Sequence, residues 1–188
     1  LTTTFYRNNF HRNWYKLDRV RATANGNRVS IASALADPVT NAAEYAIVTG
    51  GASPNDNALE VKANNREYYA QGVQSVAGLR ADRGSVTHNL EVGLRTHKDQ
   101  IDRFQWVDKY KMDAGAMQLT EAGVKGTESN RIETATAWAA FAQYRLTAGN
   151  LSATPGLRYE NIQIEREDYG KTDPVRTGSN LTTRENST

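Results

Sequence analysis

Two very long alternating runs in the C-terminal half of the chain constrain its fold most strongly. They span residues 131–147 and 151–169 and are separated by the turn Ala148-Gly149-Asn150. Alternation with period two predicts β-strands, because successive side chains of a strand point to opposite faces. Each run is roughly three times as long as a soluble strand of about 5–6 residues. At about 3.3 Å per residue and a tilt near 45°, the second run would rise on the order of 40 Å, more than the roughly 30 Å hydrocarbon core of a bilayer. The two runs therefore indicate an outer-membrane β-barrel.

The whole chain contains five such runs, and the connections between them alternate between long and short. We predict an all-β fold, an antiparallel meander of about five long strands that is part of a transmembrane barrel. The predicted strands cover residues 2–20, 66–81, 85–106, 131–147 and 151–169. The short turns are residues 82–84 and 148–150, and the long connections are residues 21–65, 107–130 and 170–188. Bacterial barrels have short periplasmic turns and long extracellular loops, so we expect the three long connections to be extracellular.

The first long connection has a composition that predicts some local structure. Residues 30–36 and 40–49 have the composition of short helices. The candidate N-caps are Ser30, Thr40 and Asn41. A Ser-Pro-Asn-Asp sequence at residues 53–56 then predicts a break in the chain.

The two faces of the predicted strands differ in polarity. Apolar side chains alternate with charged ones along the runs 85–106 and 151–169, and we expect the apolar face to contact lipid and the charged face to line a polar lumen. The apolar residues include Leu90, Val92, Leu94, Leu157 and Tyr159. The charged residues predicted to face the lumen are Glu91, Arg95, Arg158 and Glu160.

The composition is compatible with a barrel and argues against several other classes. Hydrophobic residues make up 38% of the chain, and the mean hydropathy is −0.68. A barrel tolerates this polarity because only alternate residues face lipid. The net charge of +2, with both signs interspersed, predicts no nucleic-acid partner. The chain has no cysteine and begins at Leu1 without a signal peptide, so we interpret it as an internal piece of a longer protein.

The sequence contains no motif that predicts catalysis or a metal site. The three histidines, His11, His88 and His97, do not have the spacing of metal ligands. There is also no G-x-S-x-G sequence and no arrangement that suggests a catalytic triad. We therefore predict that the chain is not an enzyme and holds no cofactor and no metal.

Five stretches in their order carry a family resemblance that covers nearly the whole chain. They are YRNNFHRNWYKLD (6–18), NNREYYAQGVQ (64–74), HNLEVGLRTHKDQIDRFQWVDKYKM (88–112), NRIETATAWAAFAQYRL (130–146) and TPGLRYENIQIEREDY (154–169). The sequence resembles the TonB-dependent outer-membrane receptors, and it looks most like their ferric-dicitrate-type branch. The resemblance implies a 22-stranded barrel filled by an N-terminal plug, of which this chain is about a quarter. The plug domain and the TonB box are absent from this sequence.

The function implied by this resemblance is the energised uptake of a ferric siderophore or similar iron chelate across the outer membrane of a Gram-negative bacterium. The implied partners are the iron chelate, the TonB complex acting through the missing plug domain, and outer-membrane lipid. Two alternatives come from other classes. A passive porin-like barrel would share the alternation of connections, and a soluble β-rich binding or adhesion module would need shorter strands.

The polar cluster between residues 97 and 106 has two interpretations. It is either a strand that projects above the membrane, with cross-strand charge pairs, or a vestibule wall where an anionic ferric chelate first binds. The candidate ligand-binding residues are His97, Asp99, Arg103, Gln105 and Trp106. The lumen-facing residues also have two interpretations. We favour a charge network on the barrel wall, and the alternative is contact with the missing plug.

Overall fold

The computed structural model describes residues 1–52, 57–178 and 180–187, which form one antiparallel sheet with two short helices. The strands are β1 (Thr2–Val20), β2 (Val29–Ser30), β3 (Leu59–Arg83), β4 (Val86–Asp113), β5 (Ala116–Glu121), β6 (Ser129–Ala148), β7 (Leu151–Ala153), β8 (Gly156–Asp168) and β9 (Leu181–Ser187). The helices are α1 (Ile31–Ala36) and α2 (Ala42–Val48). The strand order is β2-β1-β3-β4-β6-β8-β9, with β5 paired to β4 and β7 to β6.

The all-β class and the meander of five long strands are confirmed, but the strands extend further than predicted. The second predicted strand begins at residue 59 and not at 66, and the third ends at residue 113 and not at 106. These added ends pair with each other, for example Leu59 with Tyr110. The predicted loop 107–130 also contains β5, and the predicted loop 170–188 contains β9. These segments have a mixed polar composition, and the alternation in them is too weak to predict strands.

The fifth predicted strand, residues 151–169, is divided into β7 and β8 by Thr154-Pro155. Proline has no backbone N–H and therefore cannot donate to the β-ladder. The Pro155 carbonyl still accepts a hydrogen bond from the Tyr144 N–H at 2.9 Å. Pairing resumes in the same register on both sides of the interruption, so the alternation of side chains continues without a shift.

The two short connections are two-residue turns and not the predicted three-residue ones. Arg83 pairs with Val86 across Gly84-Ser85, and Ala148 pairs with Leu151 across Gly149-Asn150. Gly84 and Gly149 adopt φ of 62° and 58°. Glycine at the first central position is typical of tight type II′ hairpins, because an L-residue disfavours positive φ there.

The segment between β1 and β3 forms a small apolar core against the ends of β1, β3 and β4 that lie away from the tight turns. The Ser30 hydroxyl caps α1 by accepting a hydrogen bond from the Ser33 N–H at 3.0 Å. The two predicted helices correspond to α1 and α2 and are confirmed. Asn41, one of the candidate N-caps, directly precedes α2. The buried residues of this core are Val20, Ala34, Ile47, Ala58, Leu59 and Met112. The predicted break at residues 53–56 lies outside the described residues.

The register is constant along the long strand pairs up to a shift between Leu17 and Arg19 of β1, and it divides the sheet into two faces, because directly paired residues of antiparallel strands lie on the same face. One face, here called the apolar face, carries large hydrophobic side chains that are mostly exposed. They include Phe5, Leu79, Leu90, Val92, Leu94, Trp138, Leu157 and Tyr159. The opposite face, here called the polar face, carries most of the arginines of the strands. Neither of the described helices is long and apolar enough to cross a membrane.

Candidate functional site

Four arginines lie side by side across the polar face. Arg12 pairs directly with Arg66, Arg66 with Arg103, and Arg103 with Arg131. These residues, here called the arginine row, come from β1, β3, β4 and β6. Like charges directly opposite each other destabilise a sheet, so the row requires negative charge nearby.

The carboxylates near the arginine row are fewer than the arginines. The Glu133 carboxylate lies 3.6 Å from Arg103 Nε and 3.3 Å from Arg131 Nε, and it also lies 4.0 Å from Arg166 Nε. Asp168, which continues the row on β8, pairs with Arg166 at 2.8 Å. Three guanidinium groups thus share these two carboxylates, and among the described residues neither Arg12 nor Arg66 forms an ion pair. The cluster therefore retains an excess of positive charge.

The electrostatic effect of this crowding is visible at Arg103. Burial of its guanidinium, and then the positive charge of Arg131, lower the pKa of Arg103 from its ordinary value. All four arginines of the row also have a buried Nε atom with no hydrogen-bond partner among the described residues. Guanidinium groups bind carboxylates through parallel hydrogen bonds, so the row offers donors suited to an anion with several carboxylates.

A hydrogen-bonded contact beside the arginine row orders the side chain of Arg66. Gln105 Nε2 donates to Asn64 Oδ1 at 2.6 Å, and Arg66 donates to the same oxygen at 3.2 Å. Gln105 and Asn64 are both buried. This contact holds Arg66 in place because it uses a donor of that side chain.

A second network lies further along the polar face, centred on His97. The Tyr6 hydroxyl lies 2.6 Å from His97 Nδ1, and His97 Nε2 lies 3.1 Å from Asp99 Oδ2. Arg95 donates to the Tyr6 hydroxyl at 3.1 Å. The ring of Tyr6 crosses over Gly72, its direct cross-strand partner, where a side chain would clash.

The structure places most of the predicted site residues together and separates one from the rest. His97, Asp99, Arg103 and Gln105 occupy alternate positions of β4 and share the polar face. Trp106 follows Gln105 directly and therefore lies on the apolar face. There the ammonium nitrogen of Lys125 lies 5.6 Å from the centre of the Trp106 ring. The sequence grouped Trp106 with the others by proximity along the chain, but strand geometry separates them.

The four residues predicted to face the lumen all lie on the polar face. Arg158 and Glu160 form an ion pair at 3.1 Å along β8, and Arg95 joins the His97 network. Glu91 is exposed on β4. Among the described residues, no group of three or more histidine, cysteine or acidic side chains is arranged to hold a metal ion.

The family of the chain follows from a match over nearly its whole length. The family model of the TonB-dependent receptor-like β-barrel matches residues 1–186. The chain belongs to this family. Comparison with curated proteins gives no match.

A solved structure supports the same fold for this TonB-dependent receptor barrel segment. The crystal structure of the ferric citrate transporter FecA in its unliganded form is similar, with a TM-score of 0.51 and 18% sequence identity. The match covers 68% of this chain and 18% of the FecA chain. At this identity the likeness shows the fold, and the chain spans a small part of the protein that it resembles.

Sequence reasoning identified only one member of the arginine row, Arg103. Arg12, Arg66 and Arg131 lie 91, 37 and 28 residues from Arg103 along the chain, and only strand pairing brings the four residues together. The pairing of Arg66 with Arg103 could have been predicted from the sequence, because β3 and β4 are joined by a tight turn. With the turn at Gly84-Ser85, counting back from Arg83 and forward from Val86 places Arg66 opposite Arg103.

Proposed function

We propose that this chain forms part of the barrel wall and outer loops of an outer-membrane receptor that takes up an anionic ferric chelate, such as a ferric siderophore. Uptake would be energised by the TonB complex, acting through a plug domain in the full-length protein. The iron would travel as its chelate, and no covalent chemistry is required. The observation that carries this proposal is the arginine row on the polar face.

The position of the row fits the binding of a ligand from the outside. Along β4 it lies on the side of Leu94 that is away from the tight turn at Gly84-Ser85. Tight turns are periplasmic in bacterial barrels, so the row would lie toward the extracellular side of the lumen. A polyanionic chelate would offset the excess charge of the arginines and accept hydrogen bonds from their guanidinium groups.

The remaining residues of the polar face have supporting roles in this proposal. His97 and Asp99 would extend the vestibule wall, while Gln105 orders the arginine row through Asn64. Glu91, Arg95, Arg158 and Glu160 would line the lumen deeper in the membrane. There they would form the wall network and contact the plug.

The proposal is tested by the binding of radiolabelled ferric citrate to the purified full-length protein. Arg103→Gln and Arg131→Gln each remove the charged guanidinium group while keeping a shorter, neutral polar side chain. We expect each substitution to weaken binding by about tenfold or more, since a hydrogen bond to a charged group contributes roughly 1.5–3 kcal/mol. A neutral ferric hydroxamate should bind less tightly than citrate and depend little on either arginine.

Arg80→Gln is the matched control, because Arg80 lies on the same face of β3 near the tight turn and pairs with Asp82. This substitution should leave citrate binding unchanged. Equal binding of citrate by the wild type and both row variants would contradict the proposed role of the arginine row.

A further inference from the structure

An open groove of about 700 Å³ crosses the apolar face where its hydrophobic side chains give way to polar ones. Two neighbouring cross-strand rows of side chains form it. The first row contains Phe5, Val73, Thr96, Trp138 and Asn161, and the second contains Arg7, Gln71, Lys98, Thr136 and Gln163. We call this feature the interface groove.

The first row makes the interface groove continuous with the exposed hydrophobic surface. Phe5 is 76% exposed and Trp138 is 46% exposed. The Trp138 ring packs against Tyr159, with ring centroids 5.1 Å apart. Aromatic side chains of this kind are typical of the level at which a barrel leaves the hydrocarbon core.

The second row supplies positive charge without a matching carboxylate. Arg7 donates to the neutral side chains of Gln71 and Asn9, at 2.9 and 3.3 Å. Lys98 is exposed and has no hydrogen bond or ion pair with the described residues. Among the described residues that line the groove, none is acidic. Arg7 and Lys98 are both on the apolar face and flank Gln71 from either side, because Gln71 is the cross-strand partner of each.

We infer that the interface groove binds the phosphate-bearing headgroup of an anionic membrane lipid. Arg7 and Lys98 contact the phosphate, while an acyl chain lies along Phe5, Val73 and Trp138. A lipid explains both rows of the groove, since a soluble anion would use the cations but leave the apolar row without a partner. This inference rests on the proposed membrane location of the chain but not on the identity of the transported ligand.

The test is native mass spectrometry of the full-length protein in detergent, titrated with phosphatidylglycerol or with phosphatidylcholine. We expect the wild type to retain phosphatidylglycerol more tightly. The double variant Arg7→Gln/Lys98→Gln should bind phosphatidylglycerol on the order of tenfold more weakly, since each basic side chain near a membrane surface favours anionic lipid. Phosphatidylcholine binding should change little.

Lys111→Gln is the matched control, because Lys111 lies on the same strand but on the opposite face. It should behave as the wild type. Excess inorganic phosphate should not displace the lipid, and displacement would show that the groove binds free phosphate instead. Equal retention of the two lipids, or no difference between the double variant and the wild type, would overturn the inference.

The ferric citrate assay on the same preparations separates the two proposals. A protein that binds citrate through the arginine row but does not discriminate between lipids would contradict the groove assignment alone. A protein that selects phosphatidylglycerol through Arg7 and Lys98 but binds no ferric chelate would contradict the transport proposal alone.

Discussion

At the scale of single residues, Gly72 shows how one missing side chain permits a polar network. A Cβ atom at this position would clash with the Thr96 carbonyl oxygen and with the Tyr6 hydroxyl. Tyr6 can reach His97 only because its ring occupies the space that a side chain at position 72 would fill. The backbone oxygen cannot move aside cheaply, since it belongs to the central strand β4.

Gly72→Ala is therefore expected to destabilise the full-length protein by about 1–3 kcal/mol, as other substitutions that overpack an ordered site do. Thermal unfolding of the detergent-solubilised protein measures the change. Gly78→Ala is the control, because Gly78 is on the same face of the same strand and has open space around its Cβ position. A similar loss of stability in both variants would show that the effect is general to glycine in β3 and not due to the contact with Tyr6.

At the scale of elements, α1 and α2 attach to the sheet through a core of small and branched side chains. Ile47 is fully buried and lies in the same cluster as Val20 of β1 and Met112 of β4. The two helices have only six and seven residues. Isolated helices of this length are unstable in water, so packing against the strand ends has to hold them.

Ile47→Ala should therefore release the helical segment without unfolding the barrel. Replacement of a buried isoleucine by alanine costs about 2–5 kcal/mol. Hydrogen exchange of residues 31–48 should become much faster, while exchange in β3 and β4 below the core stays unchanged. Leu35→Ala is the control, because Leu35 is 50% exposed in α1. Protection that persists in the Ile47 variant would contradict this role of the core.

At the scale of the whole molecule, the height of the apolar face matches a membrane barrel. On β6 its side chains extend from the turn after Ala148 to Trp138, a separation of ten residues. At about 3.3 Å per residue and a tilt near 45°, this corresponds to roughly 23 Å, close to the apolar band of about 25 Å in outer-membrane barrels. The apolar face thus has the dimension needed to contact the hydrocarbon core.

Cysteine labelling of the membrane-inserted full-length protein tests the orientation of the two faces. The chain has no cysteine of its own, so each single substitution introduces one thiol into it. We expect Leu94→Cys to react with a lipid-soluble maleimide and Arg95→Cys to react with a charged, water-soluble one. Leu157→Cys and Arg158→Cys form a second matched pair on β8. Reaction of both members of a pair with the same reagent would contradict the predicted orientation.

The sequence alone determined the strand class, the two faces of the runs 85–106 and 151–169, and the approximate positions of the two tight turns. These features follow from local rules, because side-chain alternation and turn chemistry act over a few residues. Leu94 and Arg95 could be assigned to opposite faces without any knowledge of their neighbours. The N-cap of α1 at Ser30 is local in the same sense.

Only the tertiary structure decided which residues lie opposite one another. With the predicted turn at residues 82–84, residue 81 would have paired with residue 85, and Arg103 would have been placed opposite Ala63. The observed turn at Gly84-Ser85 moves its partner to Arg66. The pairs Arg12–Arg66 and Arg103–Arg131 depend on strands joined by long connections, whose register no local rule specifies. The arginine row and the interface groove both arise from this long-range register, which is why alternation along single strands could not predict them.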